Sequence, residues 1–314
     1  MSLRPLARPA RLRPGARVAV VAPSGPVPAG RLAKGLDLLR GWGLDPVTGP
    51  HVMDVHPELG HLAGTDEARA RDLQEAWCDP SVDAVLCARG GYGAHRMVDL
   101  LDWPAIREAG PKVFVGYSDI TVLHEAFALR AGFSTLLGPM VAAEVFLTDT
   151  ATQEALRSTL FTPESARVLG LGTATALVPG TARGVTYGGC ASLLAADAGT
   201  PGARTSARGG ILVVEDVAED PYRLDGTLTR LLRSGAFEGI SGVVCGSWEQ
   251  CGPYERVRAV LADRLGGLGV PVVEELGFGH CPTSLTVPLG VPAVLDAPAD
   301  GGRCTLTVEV PALV

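Results

Sequence analysis

The sequence has no C-x-x-C pair, and its cysteine count of seven is odd. Neither a zinc site nor a disulfide framework is suggested by that pattern, and reduced thiols fit the cytosol. It has no apolar run long enough to cross a bilayer as a helix. The run Val18 to Ala22 is too short for the apolar core of an export signal and is followed at once by Pro23-Ser24-Gly25. A cytoplasmic protein with no membrane partner is therefore expected. Basic residues are not in excess: 27 Lys and Arg against 34 Asp and Glu give a net charge of −7, which argues against a general nucleic-acid binder. The phosphate-binding patterns G-x-G-x-x-G and Gly-Lys-Ser/Thr are also missing, so the glycine-rich stretches are poor candidates for a nucleotide cofactor site.

What the chain does have is apolar residues, 46% of a total of 314, with 19% charged. That length exceeds one ordinary core, and two domains are the natural expectation. Apolar runs alternate with helical periodicity. Arg17 to Ala22, Asp83 to Ala88 and Lys112 to Tyr117 read as buried strands; 29–42, 65–77 and 95–101 read as helices. This alternation predicts an α/β fold with a parallel sheet covered on both faces, in which ligands sit at the carboxyl ends of strands. The expected division is a loose leader over 1–14, a first domain over 15–162, a linker rich in Gly and Pro over 163–183, and a second α/β domain over 184–314. Strand candidates in the second half are 210–215, 240–246, 270–274, 286–289, 293–295 and 304–310.

Val113-Phe-Val-Gly-Tyr-Ser-Asp-Ile-Thr121 is the stretch with the most chemical content. A strand breaks at Gly116 and a helix begins near Ile120. A serine at such a turn projects its hydroxyl above the sheet edge, beside free N–H groups and the positive end of the helix dipole. Ser118 is thus a candidate nucleophile; the competing reading is that Ser118 or Asp119 caps the helix. Gly90-Gly91 follows another strand, and its glycines can be a tight turn or let a backbone N–H approach a reacting oxygen. His51, His56 and His61 share no face of a helix or strand and read as loop residues; no metal is expected. His124 points away from the turn, and His95 is a minor candidate. His280 stands in a turn-rich stretch between Gly279 and Cys281-Pro282. Glu215 interrupts the apolar run 211–217, and a carboxylate there needs a partner. An ion pair with Arg223 is one reading. The other joins Glu215 to His280 and His280 to Ser118, the orienter, base and nucleophile of a serine hydrolase.

These residues resemble the LD-carboxypeptidases and the related microcin-immunity peptidases. The resemblance runs from about Val18 to Leu295. It includes Val21-Ala-Pro-Ser-Gly25, Ala88-Arg-Gly-Gly-Tyr-Gly93, Gly116-Tyr-Ser-Asp119, Val214-Glu-Asp-Val217 and Gly279-His280. It implies a Rossmann-like N-terminal domain that carries Ser118, a smaller C-terminal α/β domain that carries Glu215 and His280, and an active site in the cleft between them. It further implies that the backbone N–H groups of Gly91 and Asp119 form the oxyanion hole, that no cofactor is used, and that the protein is a homodimer. The implied substrate is a murein tetrapeptide, cleaved before a terminal D-alanine in peptidoglycan recycling. A peptidyl or aminoacyl adenylate, as in microcin immunity, is the alternative. Arg89 is a candidate for the substrate carboxylate, or a structural ion pair. An α/β-hydrolase esterase is less favoured, because Gly116-Tyr-Ser-Asp-Ile120 lacks the last glycine of G-x-S-x-G. A non-enzymatic small-molecule binding protein is the remaining reading.

Overall fold

A computed structural model describes residues 2–314. The first sheet contains β1 (Arg17–Val21), β2 (Asp45–Thr48), β3 (Ala84–Cys87), β4 (Val113–Gly116) and β5 (Thr135–Leu137). They run parallel in the order β2, β1, β3, β4, β5. Every residue of β3 and β4 is buried, as expected of strands covered on both faces. Alternate residues feed two cores. Val85, Cys87 and Phe114 face a cluster that includes Trp77 and Phe127, whose rings stack at 4.2 Å. Leu86, Val113 and Val115 face another, with Leu39, Phe146 and Leu160. The covering helices include Ala29–Gly41, Asp66–Cys78 and Thr150–Phe161. Thr65 caps the second of these, accepting from the Ala68 N–H at 3.2 Å.

The second half supplies β6 (Val168–Leu169), β7 (Thr175–Val178), β8 (Gly180–Cys190), β9 (Gly210–Val217), β10 (Gly242–Glu249), β11 (Val272–Glu274), β12 (Val287–Leu289), β13 (Pro292–Ala297) and β14 (Thr305–Val308). Strands β8, β9, β10 and β11 are parallel and form the centre of the second sheet. Antiparallel β7, β13, β14 and β6 extend it on either side. Strand β12 does not join it. It crosses to the first sheet and pairs antiparallel with β5.

Two expectations change here. The segment 163–183 does not serve as a bare linker: it contributes β6, β7 and the start of β8, all paired in the second sheet. The leader is not loose over its described residues. Leu3 N–H bonds Arg208 O, Leu6 N–H bonds Gly290 O, Ala7 N–H bonds Gly132 O, and Leu12 N–H bonds Leu160 O. Leu12 is buried in the core behind β1. Among the described residues, no helix is long and apolar enough to cross a membrane.

Candidate active site

Ser118 sits two residues past the carboxyl end of β4. Gly116 is needed there, because a Cβ on it would lie 2.7 Å from the Ile120 side chain. Ser118 itself has φ of +63°, a conformation that costs a non-glycine residue about 1–2 kcal/mol. The chain then makes a 3-10 turn, Ser118–Ile120, and the helix Thr121–Ala126. Neither Ser118 nor Asp119 caps that helix, so the capping alternative does not hold. The Asp119 carboxylate turns the other way. Its Oδ2 accepts from Ser24 Oγ at 2.6 Å and from the Ala94 N–H at 2.8 Å, at the start of the short helix Ala94–Met97. Burial raises the Asp119 pKa, and these two hydrogen bonds resist the rise. Among the described residues, Ser118 Oγ has no hydrogen-bond partner; the side chain is half-buried.

His280 Nδ1 lies 2.7 Å from Glu215 Oε2, and the His280 N–H bonds the same oxygen at 3.2 Å. Glu215 is fully buried near the end of β9, so its charge acts through little solvent. Burial of the imidazole lowers its pKa, but the Glu215 charge and hydrogen bond, with a smaller push from Asp216, raise it above the ordinary value. The pairing fixes Nδ1 as the protonated nitrogen and leaves Nε2 to face outward. Gly279 makes this contact possible: its φ is +88°, and a Cβ there would lie 2.4 Å from Glu215 Oε2. Tyr117 packs its ring against His280 at 4.7 Å. Arg223 makes no ion pair with Glu215; its guanidinium bonds the Tyr222 hydroxyl.

Ser118 and His280 line one recess of about 590 Å³, together with Tyr117, Gly90, Gly91 and Met140. Gly90 approaches the serine most tightly, since a Cβ on it would lie 3.0 Å from Ser118 Cβ. Gly91 follows with φ of +111°. Among the described residues, the N–H groups of Gly91 and Asp119 donate to none of the turn and loop carbonyls. Three charged side chains, Arg31, Arg89 and Glu144, complete the lining. Arg89 NH1 donates to Pro26 O, which holds the guanidinium against the Pro23–Pro26 loop rather than in an ion pair. A narrower, apolar cavity of about 50 Å³ lies behind the helix 121–126, lined by Val122, Leu193, Leu231 and Phe237; neither Ser118 nor His280 reaches it.

Residues 18–138 match the LD-carboxypeptidase N-terminal domain, and residues 183–295 match the LD-carboxypeptidase C-terminal domain. The chain belongs to the LD-carboxypeptidase family. It is 67% identical over 311 residues to the SCO6489 protein of Streptomyces coelicolor, with 99% of each chain covered. It is 31% identical over 298 residues to the murein tetrapeptide carboxypeptidase of Pseudomonas aeruginosa, covering 89% of this chain and 93% of the relative. The crystal structure of a muramoyltetrapeptide carboxypeptidase from Oxalobacter formigenes superposes with a TM-score of 0.80 at 29% identity, over 94% of this chain and 99% of that one. The fold is also shared with an MccF-like protein from Bacillus anthracis, with a TM-score of 0.84 at 23% identity over 96% and 98% of the chains.

Several residues of this LD-carboxypeptidase family member that shape the site carry only weak sequence signals. Ser24 and Asp119 tie the Pro23–Pro26 loop to the serine turn. Buried Arg69 joins the Pro23–Pro26 loop to the Gly90–Gly93 loop, donating to Pro23 O and to Gly93 O. Asp216 Oδ2 accepts from the Ser192 N–H at 2.7 Å, at the start of helix Ala191–Asp197. Thr121 Oγ1 accepts from the Cys190 N–H at 2.9 Å, which joins the helix after Ser118 to the end of β8. The one signal available for these residues is a polar side chain inside an apolar or turn-rich run. His95 stands apart from the recess, 3.8 Å from Asp197. His124 is buried between Thr135 and Gly116 O and has a structural place.

Proposed function

We propose that this member of the family is a serine carboxypeptidase that releases a C-terminal D-amino acid from a peptide whose preceding centre is L-configured. The proposed substrate is a murein tetrapeptide, and the product is D-alanine. The observation that carries this reading is the pairing of His280 with a fully buried Glu215 in the same recess as a serine held at φ of +63°. The names of the P. aeruginosa and O. formigenes relatives support the substrate class.

His280 Nε2 takes the proton from Ser118 Oγ, and the oxygen attacks the carbonyl carbon of the scissile amide. The negative charge that develops on the carbonyl oxygen is met by the N–H groups of Gly91 and Asp119. Each such donor is worth roughly 2.7–4 kcal/mol in known cases. His280 then gives its proton to the departing amine, and D-alanine leaves. The acyl group remains on Ser118 as an ester. Water, deprotonated by His280, attacks that ester; the tripeptide acid leaves and Ser118 regains its proton. Glu215 holds the imidazole tautomer and favours its charged form throughout. Arg89, which has no carboxylate partner, takes the terminal carboxylate. The reaction uses no metal or cofactor. The family resemblance extends the reading to a cytoplasmic homodimer that acts in peptidoglycan recycling.

The test is release of D-alanine from purified tetrapeptide by the wild type and by Ser118→Ala. The wild type is expected to turn over. The variant is expected to lose roughly 10⁶-fold in kcat, the scale of removing a triad serine. A variant that kept full activity would overturn the nucleophile assignment. A wild type inert toward tetrapeptide that cleaved an aminoacyl adenylate would overturn the substrate and leave the serine chemistry standing.

A further inference from the structure

Among the described residues that line the recess, His280 alone comes from the second half of the chain. The groups that meet a substrate beside Ser118 therefore belong to one half, and the base to the other. Their alignment depends on how the halves are fastened near the site. The helix Thr121–Ala126, which starts three residues past Ser118, is tied to the second half at two points. Thr121 Oγ1 accepts from the Cys190 N–H at 2.9 Å. Glu125, four residues on and so on the same helix face, takes a bidentate ion pair from Arg204 at 2.7 and 3.0 Å.

The tie at Thr121 is the one that leads to the base. Cys190 ends β8 and pairs in register with Glu215 on β9. Glu215 in turn holds His280. One hydrogen bond and one strand pairing thus connect the helix after the nucleophile to the carboxylate that orients the imidazole. Little in this seam can yield. A Cβ on Gly189 would lie 2.4 Å from Thr121 Oγ1, so the backbone of β8 sits directly on the Thr121 side chain. Thr121 and Cys190 are both buried, which keeps water from competing for the bond. The Cys190 thiol donates to Asp216 Oδ1 at 3.2 Å, and Asp216 also fixes the start of helix Ala191–Asp197. Cys190 is therefore held by its side chain as well as by its N–H. We propose that Thr121 is a positioning residue for the reaction: its hydroxyl sets the register of the two halves, and so the reach of His280 Nε2 to Ser118 Oγ. This inference rests on the carboxypeptidase reading above. A misplacement of about 1 Å between reacting groups can cost roughly 10²-fold in rate. The substrate contacts of the first half stay as they are.

The experiment replaces Thr121 in the full chain. Thr121→Ser keeps the hydroxyl and loses the methyl group. Thr121→Val keeps the methyl group and loses the acceptor. Thr121→Cys offers only a weak sulfur acceptor. Each variant is assayed on murein tetrapeptide, and separately for the rate at which a fluorophosphonate labels Ser118, below its melting temperature. Thr121→Ser is expected to stay within about threefold of wild type in kcat. Thr121→Val is expected to lose about 10–100-fold in kcat and to be labelled more slowly by the same factor, with KM within about threefold. Thr121→Cys falls between them, and it carries the comparison if the valine variant does not fold. The acid limb of kcat/KM stays at the wild-type pH in each, because the Glu215–His280 contact lies within the second half. A valine variant with wild-type kcat beside a weak serine variant would overturn the proposal, since the side chain would then only fill space. A loss carried by KM, or a shifted acid limb, would overturn it too. A wild type that is labelled but inert toward tetrapeptide would overturn the substrate reading alone, and the order of labelling rates among the variants would still decide the seam. A wild type neither active nor labelled would overturn the triad and the seam together.

Discussion

In the proposed mechanism His280 has to be neutral to take a proton from Ser118, and the charge of Glu215 works against neutrality by holding the imidazole pKa above its ordinary value. The acid limb of kcat/KM is therefore expected above pH 6.5, with activity rising as pH climbs through the His280 pKa. Glu215→Gln removes the charge that raises the pKa. Its limb is expected to move toward lower pH while kcat falls by roughly 10⁴-fold, the scale of losing the orienting carboxylate of a serine triad. A pH–rate profile of both proteins checks this, and an unmoved limb would separate Glu215 from the base. Gly279 gives a second readout at the same contact. A methyl group there would collide with the Glu215 carboxylate and would also force alanine into a left-handed conformation. Gly279→Ala is expected to cut kcat by at least about tenfold and to cost about 1–3 kcal/mol of stability, measured by steady-state kinetics and urea unfolding. Both His280 and Glu215 were legible in the sequence as polar residues out of place. The steric reason for Gly279 at that contact and the packing of Tyr117 on the imidazole were not, because each is fixed by a neighbour that arrives from elsewhere in the chain.

At the scale of the element, the strand, turn and helix around Ser118 were readable from local pattern alone. An apolar run gives way to a glycine, and helical spacing follows. The use of Asp119 was not readable. Cap preference is a local rule, whereas the partners Asp119 takes lie 95 and 25 residues away in sequence. His124 shows the same limit. Its Nε2–H bonds Gly116 O at 2.9 Å, and its Nδ1 faces the Thr135 hydroxyl, so the neutral ring ties the end of β4 to β5. Burial drops its pKa from 6.5 to about 4. Between those values the unfolded chain binds a proton that the folded chain refuses, so acid favours unfolding. The stability at stake is fully present above pH 6.5 and is lost as pH falls through 4. It amounts to about 3 kcal/mol in all. In His124→Gln this loss is absent. The stability advantage of wild type over that variant is expected to shrink by about 2–3 kcal/mol between pH 7 and pH 4.5, as read from denaturant unfolding. A constant difference across that range would mean that His124 does not titrate with folding.

For the whole molecule, alternating strands and helices were enough to expect a parallel sheet, and the chain order of Ser118, Glu215 and His280 was enough to expect contributions from both halves. The way the halves are joined was hidden, because strand pairing across long separations depends on partners that local pattern does not name. Strand β12 completes the first sheet from the second half, and β6 and β7 come from a stretch whose glycines and prolines read as a connection. The N-terminal strap is the clearest case. Prolines and arginines gave it the look of a free leader, yet Leu3 and Leu6 bond the second half at Arg208 and Gly290, while Ala7 exchanges bonds with Gly132 and Ser134 in the first. Leu6 also lies under Gly290, where a Cβ would come within 2.5 Å of it. The proposed triad draws Ser118 from one half and Glu215 and His280 from the other, so a strap that spans both supports the alignment of the site as well as stability. Removing residues 2–7 deletes four backbone hydrogen bonds, each worth about 0.5–1.5 kcal/mol. The truncated protein is expected to melt roughly 5–10 °C lower, to exchange the Ser134 amide, which bonds Ala7 O, faster, and to lose kcat below its melting temperature. If the strap were only a covering, exchange at Ser134 would rise while melting and kcat stayed as in the full chain; faster exchange together with a lower melting temperature and a lower kcat places the strap in the frame that holds the two halves in register.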